Sequence, residues 1–305
     1  MKDRSQKCES LQEAGPPHVS TYRLTHARHC PTHCLLPGLF RSVPKKKRQK
    51  GLELKYQFAG GVRVEVKMFE ALGADDMRIL QGLIAMAAIQ ADGKKMEPLP
   101  PAPTSPDMVN LRNMLDTRGD AKGMPGCTVR CSYFQLAKEI GYANPRDSER
   151  IRACIERLYL VTLFIQRGPN RTAFRLLARA DSDAHGIFVA LNPEIANAIM
   201  GGRHVRIPMD EVRKLKSDPA RLIHQRLCGW IDPGRHGTVG VDKLAAYVWP
   251  DTEGVSPITI RRRLCDIRKI ARGFSLPGWR VEENNENVTF YRPKRPTHPK
   301  TTTNT

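Results

Sequence analysis

The chain has 305 residues, enough for one to three domains, and sets 50 Lys and Arg against 31 Asp and Glu, for a formal net charge of +19 and a pI near 9.9. Positive charge of this size, gathered at particular places, favours a polyanionic partner, because each neutralised phosphate releases condensed counterions. No apolar run reaches the roughly 18 residues of a membrane span, and the N-terminus lacks the short apolar core of a signal peptide, so a cytoplasmic protein with no membrane partner is expected. In that reducing compartment Cys8, Cys30, Cys34, Cys127, Cys131, Cys154, Cys228 and Cys265 are expected to be mostly free thiols, with Cys154 and Cys228 as small core residues.

Residues 1–50 show little apolar periodicity and close with Pro44-Lys45-Lys46-Lys47-Arg48, which reads as a flexible basic arm that adds non-specific DNA affinity. Alternation in 52–56 and 62–66 around Gly60-Gly61 predicts a hairpin. A helix over 75–90 follows, with Ile79, Leu80, Leu83, Ile84 and Ala87 on one stripe and Asp75 and Asp76 at its positive end. The Pro- and Gly-rich stretch 97–126 reads as a long surface loop with a short helical piece near 109–115. Next come a strand at 127–131, a helix at 133–140 closed by Gly141, a helix at 148–160, and a strand pair at 162–167 and 172–177.

The second half runs through a strand at 187–191 and a helix at 193–200 capped by Asn192. A strand at 204–207, a helix at 209–215 and a helix to Trp230 capped by Asp218 follow. The last elements are a strand at 239–241, a helix at 242–248, a basic helix at 257–272, and a hairpin from 278–281 and 288–291. The tail 294–305 is Pro, Thr and Lys and reads as disordered.

The order helix, short strand, short helix, longer helix, hairpin therefore occurs twice. Two helices joined by a tight turn and flanked by a hairpin make a winged helix, a helix-turn-helix variant. The expected fold is α+β, two tandem winged-helix domains at 51–183 and 184–293 behind the N-terminal arm. In the basic helix, Ile260, Leu264, Ile267 and Ala271 form the stripe expected to bury. Thr259, Arg262, Asp266 and Lys269 face outward, Arg261, Arg268 and Arg272 flank them, and Arg263 lies near the core edge. Such a helix fits the major groove, where Arg meets guanine edges, Asp meets cytosine, and any cation meets phosphate. The matching helix at 148–160 carries Glu149 and Glu156 on its exposed face. The first domain is therefore expected to give backbone contacts through Arg150, Arg152 and the hairpin residues Arg167, Arg171 and Arg175, or to serve self-association. In the second hairpin Arg280 and Arg292 are phosphate candidates, while Trp249 and Trp279 read as packing residues.

The His and Cys residues of 26–34 match no standard zinc spacing, and neither do Cys127 and Cys131. No phosphate-binding loop, His-hydrophobic-His pair, paired carboxylates or triad stands out. A non-catalytic chain without metal or cofactor is expected, with an enzyme acting on DNA left as an alternative.

The stretch GGRHVRIPMDEVRKLKSDPARLIHQRLCGWIDPG at 201–234 resembles replication protein C, the initiator of IncQ-type broad-host-range plasmids. Residues 72–83, Leu136-Ala137-Lys138-Glu139-Ile140-Gly141, Phe188-Val189-Ala190-Leu191-Asn192-Pro193 and Val248-Trp249-Pro250 carry the same resemblance, which runs from His26 to Pro293. It implies a bacterial, plasmid-encoded initiator that binds iterons, the direct repeats of an origin, and opens adjacent AT-rich DNA. It also implies loading of a plasmid-encoded helicase, priming by a dedicated primase, and a monomer–dimer equilibrium. Thr259, Arg261, Arg263 and Arg268 stand in family-like positions, whereas Leu264 to Asp266 and Lys269 depart, which leaves the iteron sequence open. The competing reading is a winged-helix transcriptional regulator.

Overall fold

The computed structural model describes residues 22–44, 48–92, 102–114, 123, 126–144, 146–183, 186–251 and 253–294. Lys45 to Lys47 of the basic cluster and the tail after Lys294 lie outside them, as do residues 1–21.

The centre of the molecule is α2 (Ala74–Asp92), which from Asp76 to Ala88 is buried on every face rather than along one stripe. It packs against β1 (His26–His29), β4 (Cys127–Cys131), α4 (Tyr133–Glu139), α5 (Ser148–Tyr159), α6 (Pro193–Ile199) and α8 (Asp218–Trp230). Burying its polar residues requires partners, since an unpaired polar group in the interior costs about 1–3 kcal/mol. Asp76 accepts from Gly73 N at 2.7 Å, Arg48 at 2.9 Å and Arg157 at 2.9 Å. Gln81 donates to Gln225 of α8 at 2.8 Å, and Arg78 donates to Ile140 O at 2.8 Å.

Around α2 lie two halves with related element order. In the first, β2 (Lys50–Gln57), β3 (Arg63–Glu70), β5 (Thr162–Arg167) and β6 (Asn170–Arg175) form an antiparallel sheet in that order. The predicted hairpin is present, with Leu54 opposite Val66 and Tyr56 opposite Val64. The expected strand 172–177 is instead the end of β6 and the start of β7 (Leu177–Ser182). The break falls at Leu176, whose N–H donates to Val161 O at 2.9 Å and whose carbonyl accepts from Asn192 Nδ2 at 2.9 Å. In the Pro-rich stretch, α3 (Pro106–Met114) is the short helix expected there.

In the second half, β10 (His236–Gly240), α9 (Val241–Val248), α10 (Pro257–Arg272), β11 (Arg280–Glu283) and β12 (Asn287–Tyr291) succeed one another, with β12 between β10 and β11 in one sheet. α7 (Met209–Lys214) and β9 (Val205–Pro208) lie before α8. Ser217, not Asp218, caps α8, accepting from Ala220 N at 3.4 Å; Asp218 instead pairs with Arg221 at 3.0 Å.

Two expectations need correction. The segment from residue 22 to residue 44 is not a free arm. β1 pairs with β9 across the second half, and Glu139 of α4 accepts from the backbone N–H of Arg23 and Leu24 at 3.0 Å each. Next, α1 (Pro31–Leu35) lies so close to α8 that a Cβ on Gly229 would stand 2.9 Å from Leu35 Cδ2. Leu36, Leu39 and Phe40 are buried, and Arg48 of the basic cluster is spent on Asp76. The second correction concerns the boundary at 183/184. It falls inside a continuous sheet, because β8 (Ile187–Leu191) pairs with β7 on one side and with β4 on the other. One hydrophobic core runs through both halves.

A Cβ at Gly82 would lie 2.5 Å from Ile140 Cγ2 and 2.7 Å from Leu136 Cδ1. Both neighbours are fully buried, so neither can swing aside. Gly82→Ala is expected to destabilise the fold by about 1–3 kcal/mol, outweighing the gain of up to about 1 kcal/mol that alanine brings to a helix interior. A urea titration checks this: the midpoint drops with the slope unchanged, whereas a raised midpoint refutes the close packing.

Candidate nucleic-acid interface

α10 starts where its sequence requires. Ser256 caps it, accepting from Thr259 N at 3.3 Å, and Pro257 occupies the first turn, where a missing N–H is harmless. Its core stripe is shorter than expected. Ile267 and Ala271 are buried and Leu264 is half-buried, but Ile260 is 39% exposed and every residue from Pro257 to Arg262 faces solvent. The first turns of α10 thus stand clear of the protein.

The basic side chains of α10 divide by partner. Arg263 donates to Asp251 O at 2.9 Å and lies over Trp249 at 5.7 Å, so it braces the turn before the helix. Arg268 and Arg272 both reach Glu283 of β11, at 3.4 Å and 2.7 Å. Hydrogen bonding from Arg272, together with the charges of Arg272 and Arg268, lowers the Glu283 carboxyl below its usual range. These contacts fix the hairpin against the helix and partly neutralise both arginines. Arg261, Arg262 and Lys269 are exposed and, among the described residues, have no hydrogen bond or ion pair. Thr259 is exposed beside the cap, with its hydroxyl 3.0 Å from that of Ser256, and Asp266 is half-buried on the helix flank.

The remaining predicted contacts are largely committed within the protein. Arg280 stacks on Tyr291 at 3.9 Å and lies 3.6 Å from Glu282, but stays exposed. Arg292 is buried and donates to the carbonyls of Cys228, Ile231 and Arg206 at 2.6, 2.7 and 2.7 Å, which removes it as a phosphate contact. In the first half, Arg150 is ion-paired with Asp75 and stacks on Tyr142 at 4.9 Å. Arg152 donates to the Tyr133 hydroxyl at 3.3 Å, and Arg171 pairs with Glu65 at 3.0 Å.

Sequence reasoning overlooked Ile258 and Cys265. At roughly 100° per residue, Ile258, Arg262, Cys265 and Lys269 form one line along α10, opposite buried Ile267. All four are exposed. Helical spacing alone would have found this line, had apolar residues been admitted to the outward face.

Of the His and Cys residues of segment 26–34, His29, Cys30, His33 and Cys34 are buried in the core and His26 is half-buried. Burial and the neighbouring His33 charge push His29 down to about 3, so it stays neutral. Among the described residues the metal-type donors that gather within 4.8 Å are Glu211, His224 and Cys228. They are engaged with one another: His224 Nε2 is 2.6 Å from Glu211 Oε2, which also accepts from Trp279 Nε1 at 3.1 Å, and Cys228 Sγ is 3.5 Å from the same imidazole nitrogen. Trp279 sits between α10 and β11, so this buried latch anchors the hairpin to α7 and α8.

A profile of the replication protein C (RepC) family matches residues 21–294, so the chain belongs to that family, a class of replication proteins. The fold is similar to that of the crystallised domains 2 and 3 of RctB, solved as selenomethionine derivatives. The TM-score is 0.53 at 10% identity, over 86% of this chain and 97% of that one. No curated protein sequence matches. No helix among the described residues is long and apolar enough to cross a membrane.

The latch carries a pH signature. Burial opposes charge on His224, but the neighbouring Cys228 and Glu211 outweigh it and push its pKa up to about 10 from 6.5. A raised folded-state value means stability that is full below pH 6.5 and is lost as pH rises toward about 10. Urea midpoints across that window are expected to fall in the wild type and to fall less steeply in His224→Gln; parallel slopes would show that His224 is not charged in the folded state.

Proposed function

We propose that the protein initiates plasmid DNA replication by binding direct repeats at an origin through α10, as an IncQ-type initiator. The observation that carries the reading is the split among the α10 cations. Arg263, Arg268 and Arg272 are spent inside the protein, whereas Arg261, Arg262 and Lys269 project from the exposed side of α10 with no partner among the described residues. In a chain of the replication protein C family with a net charge of +19, that pattern suits a helix in the major groove. We read α9, α10 and the sheet β10–β12–β11 as one winged helix, and α4, α5 and the hairpin β5–β6 as a second. In the first half the exposed acids of α5 and the internal pairing of Arg150 and Arg171 favour backbone positioning or self-association over base reading.

On this reading several protomers occupy successive repeats, strain and open the adjacent AT-rich DNA, and support loading of a plasmid-encoded helicase ahead of a primase. The protein itself performs no covalent step and needs no cofactor. Arg262 and Lys269 are the first candidates for base or phosphate contact, flanked by Thr259, Arg261 and Asp266, with Arg280 reaching backbone from the hairpin.

Footprinting of the purified protein on its own plasmid, with competitor DNA at physiological salt, is expected to give periodic protection over direct repeats beside an AT-rich tract. Protection of a single promoter operator would replace the initiator with a transcriptional regulator. On the protected site, Arg262→Ala and Lys269→Ala are each expected to lose about 1–3 kcal/mol if the side chain reads a base, or to reduce the salt slope by about 1 if it meets a phosphate. Full specific binding by both variants would remove α10 as the reader.

A further inference from the structure

α10 carries an apolar side chain where a solvated basic helix has no use for one. Ile258 is 78% exposed, the most exposed of the large hydrophobic residues that stand out from the described surface. It lies in the first turn, on the outward line with Arg262, Cys265 and Lys269 and opposite buried Ile267. A β-branched residue is a poorer helix former than alanine, leucine or lysine, and exposed apolar area is unfavourable in water, so neither propensity nor packing accounts for it. Its neighbours determine what can cover it. Arg261 and Arg262, which have no partner among the described residues, flank it, and the electropositive end of α10 lies beside it. A partner must therefore offer an apolar spot within a negative surface.

Duplex DNA has such a spot in the major groove. The C5-methyl of thymine is the apolar group on the base edges there, and phosphates line the rim. We infer that Ile258 reads a thymine methyl in the major groove, between the bases or phosphates met by Arg261 and Arg262. The inference rests on the reading of α10 as the groove-facing helix and adds a residue and a base identity to it. Ile258 acts as a specificity contact: it distinguishes a thymine edge from cytosine, and thymine from uracil, without a hydrogen bond.

Cys265 allows the two levels to be tested separately. It is exposed on the same outward line, while the other cysteines among the described residues are buried. The DNA probe is the duplex that the full-length wild-type protein recovers from a random-sequence pool. First, alkylation of Cys265 by N-ethylmaleimide, followed by peptide mass mapping, is compared with and without that duplex. Docking of α10 is expected to slow it at least about fivefold. Second, each thymine of the duplex is replaced in turn by uracil, which removes the methyl alone. The wild type is expected to lose about three- to tenfold in affinity at one position, the scale of one buried methyl group. Ile258→Ala is expected to bind thymine and uracil duplexes alike at that position, with losses at all other positions unchanged. Because Ile258 is exposed, the variant keeps the fold, as its urea midpoint will report.

If Cys265 is protected but no uracil replacement weakens the wild type, or if Ile258→Ala keeps the same uracil penalty, the thymine contact is wrong and the groove-facing helix stands. If the duplex leaves Cys265 unprotected, α10 does not dock and both readings fall.

Discussion

The fold depends on one helix, α2, having no solvent face from Asp76 to Ala88. A helix in that position must satisfy its polar side chains inside the protein, and each partner it recruits is an element of another part of the chain. Asp76 holds Arg48 from before the first sheet and Arg157 from α5. Gln81 binds Gln225 in the second half, and Arg78 closes the end of α4. Removing one partner would leave a buried charge or amide unpaired, which costs more than the original contact contributed. The two halves are consequently parts of one core, although their element orders are related.

The N-terminal segment extends this constraint to the outer face. β1 adds a strand to β9, α1 seats on Gly229, and Arg41, itself buried, donates to both carboxylate oxygens of Asp251 at 2.9 and 2.8 Å. The carbonyl of Asp251 in turn accepts from Arg263, and Ser42 N donates to Val248 O at 2.9 Å. The turn between α9 and α10 is thus held from behind by residues some two hundred positions earlier in the chain, while the Glu211–His224–Trp279 latch holds the far end of α10. A helix whose first turns must project without support of their own is aimed by fixing its turn and its C-terminal end.

Local patterns made most of the elements legible. The helix at 257–272 and the strands at 127–131 and 162–167 occupy the residues that periodicity and caps indicated, and α8 ends at Trp230 as expected but begins one residue earlier than its expected cap allowed. What was not legible depended on distant partners. The stretch 26–40 is rich in His, Cys and Pro and has no amphipathic period; it is buried because β9 and α8 receive it. The break at Leu176 has no turn residue to announce it, since Asn192 and Val161 impose it. Two good capping residues stand together at 217 and 218, and only the backbone path selects the serine. In the site, the sequence located α10 and its cations but could not say which were free. Arg292 and Lys269 are equally basic in the sequence, yet one is locked among carbonyls and the other is solvated.

That distinction changes how the charge of the protein should be understood. A net charge of +19 suggests a broad basic surface, but many of its arginines serve as internal fasteners: Arg41, Arg78, Arg157, Arg213 and Arg292 donate to carbonyls or carboxylates at the joints between elements. The guanidinium suits that work because it stays charged and offers five donors in a fixed fork. Such groups add to long-range attraction for a polyanion but cannot reach a phosphate. On the proposed function, attraction and contact are therefore set by different subsets of residues: the net charge of the whole chain would draw DNA in, and the few α10 cations that have no partner among the described residues would decide what is held. If α10 is the DNA-contacting helix proposed above, altering a fastener is felt as lost stability and altering Arg261, Arg262 or Lys269 as lost binding, even though both remove the same charge.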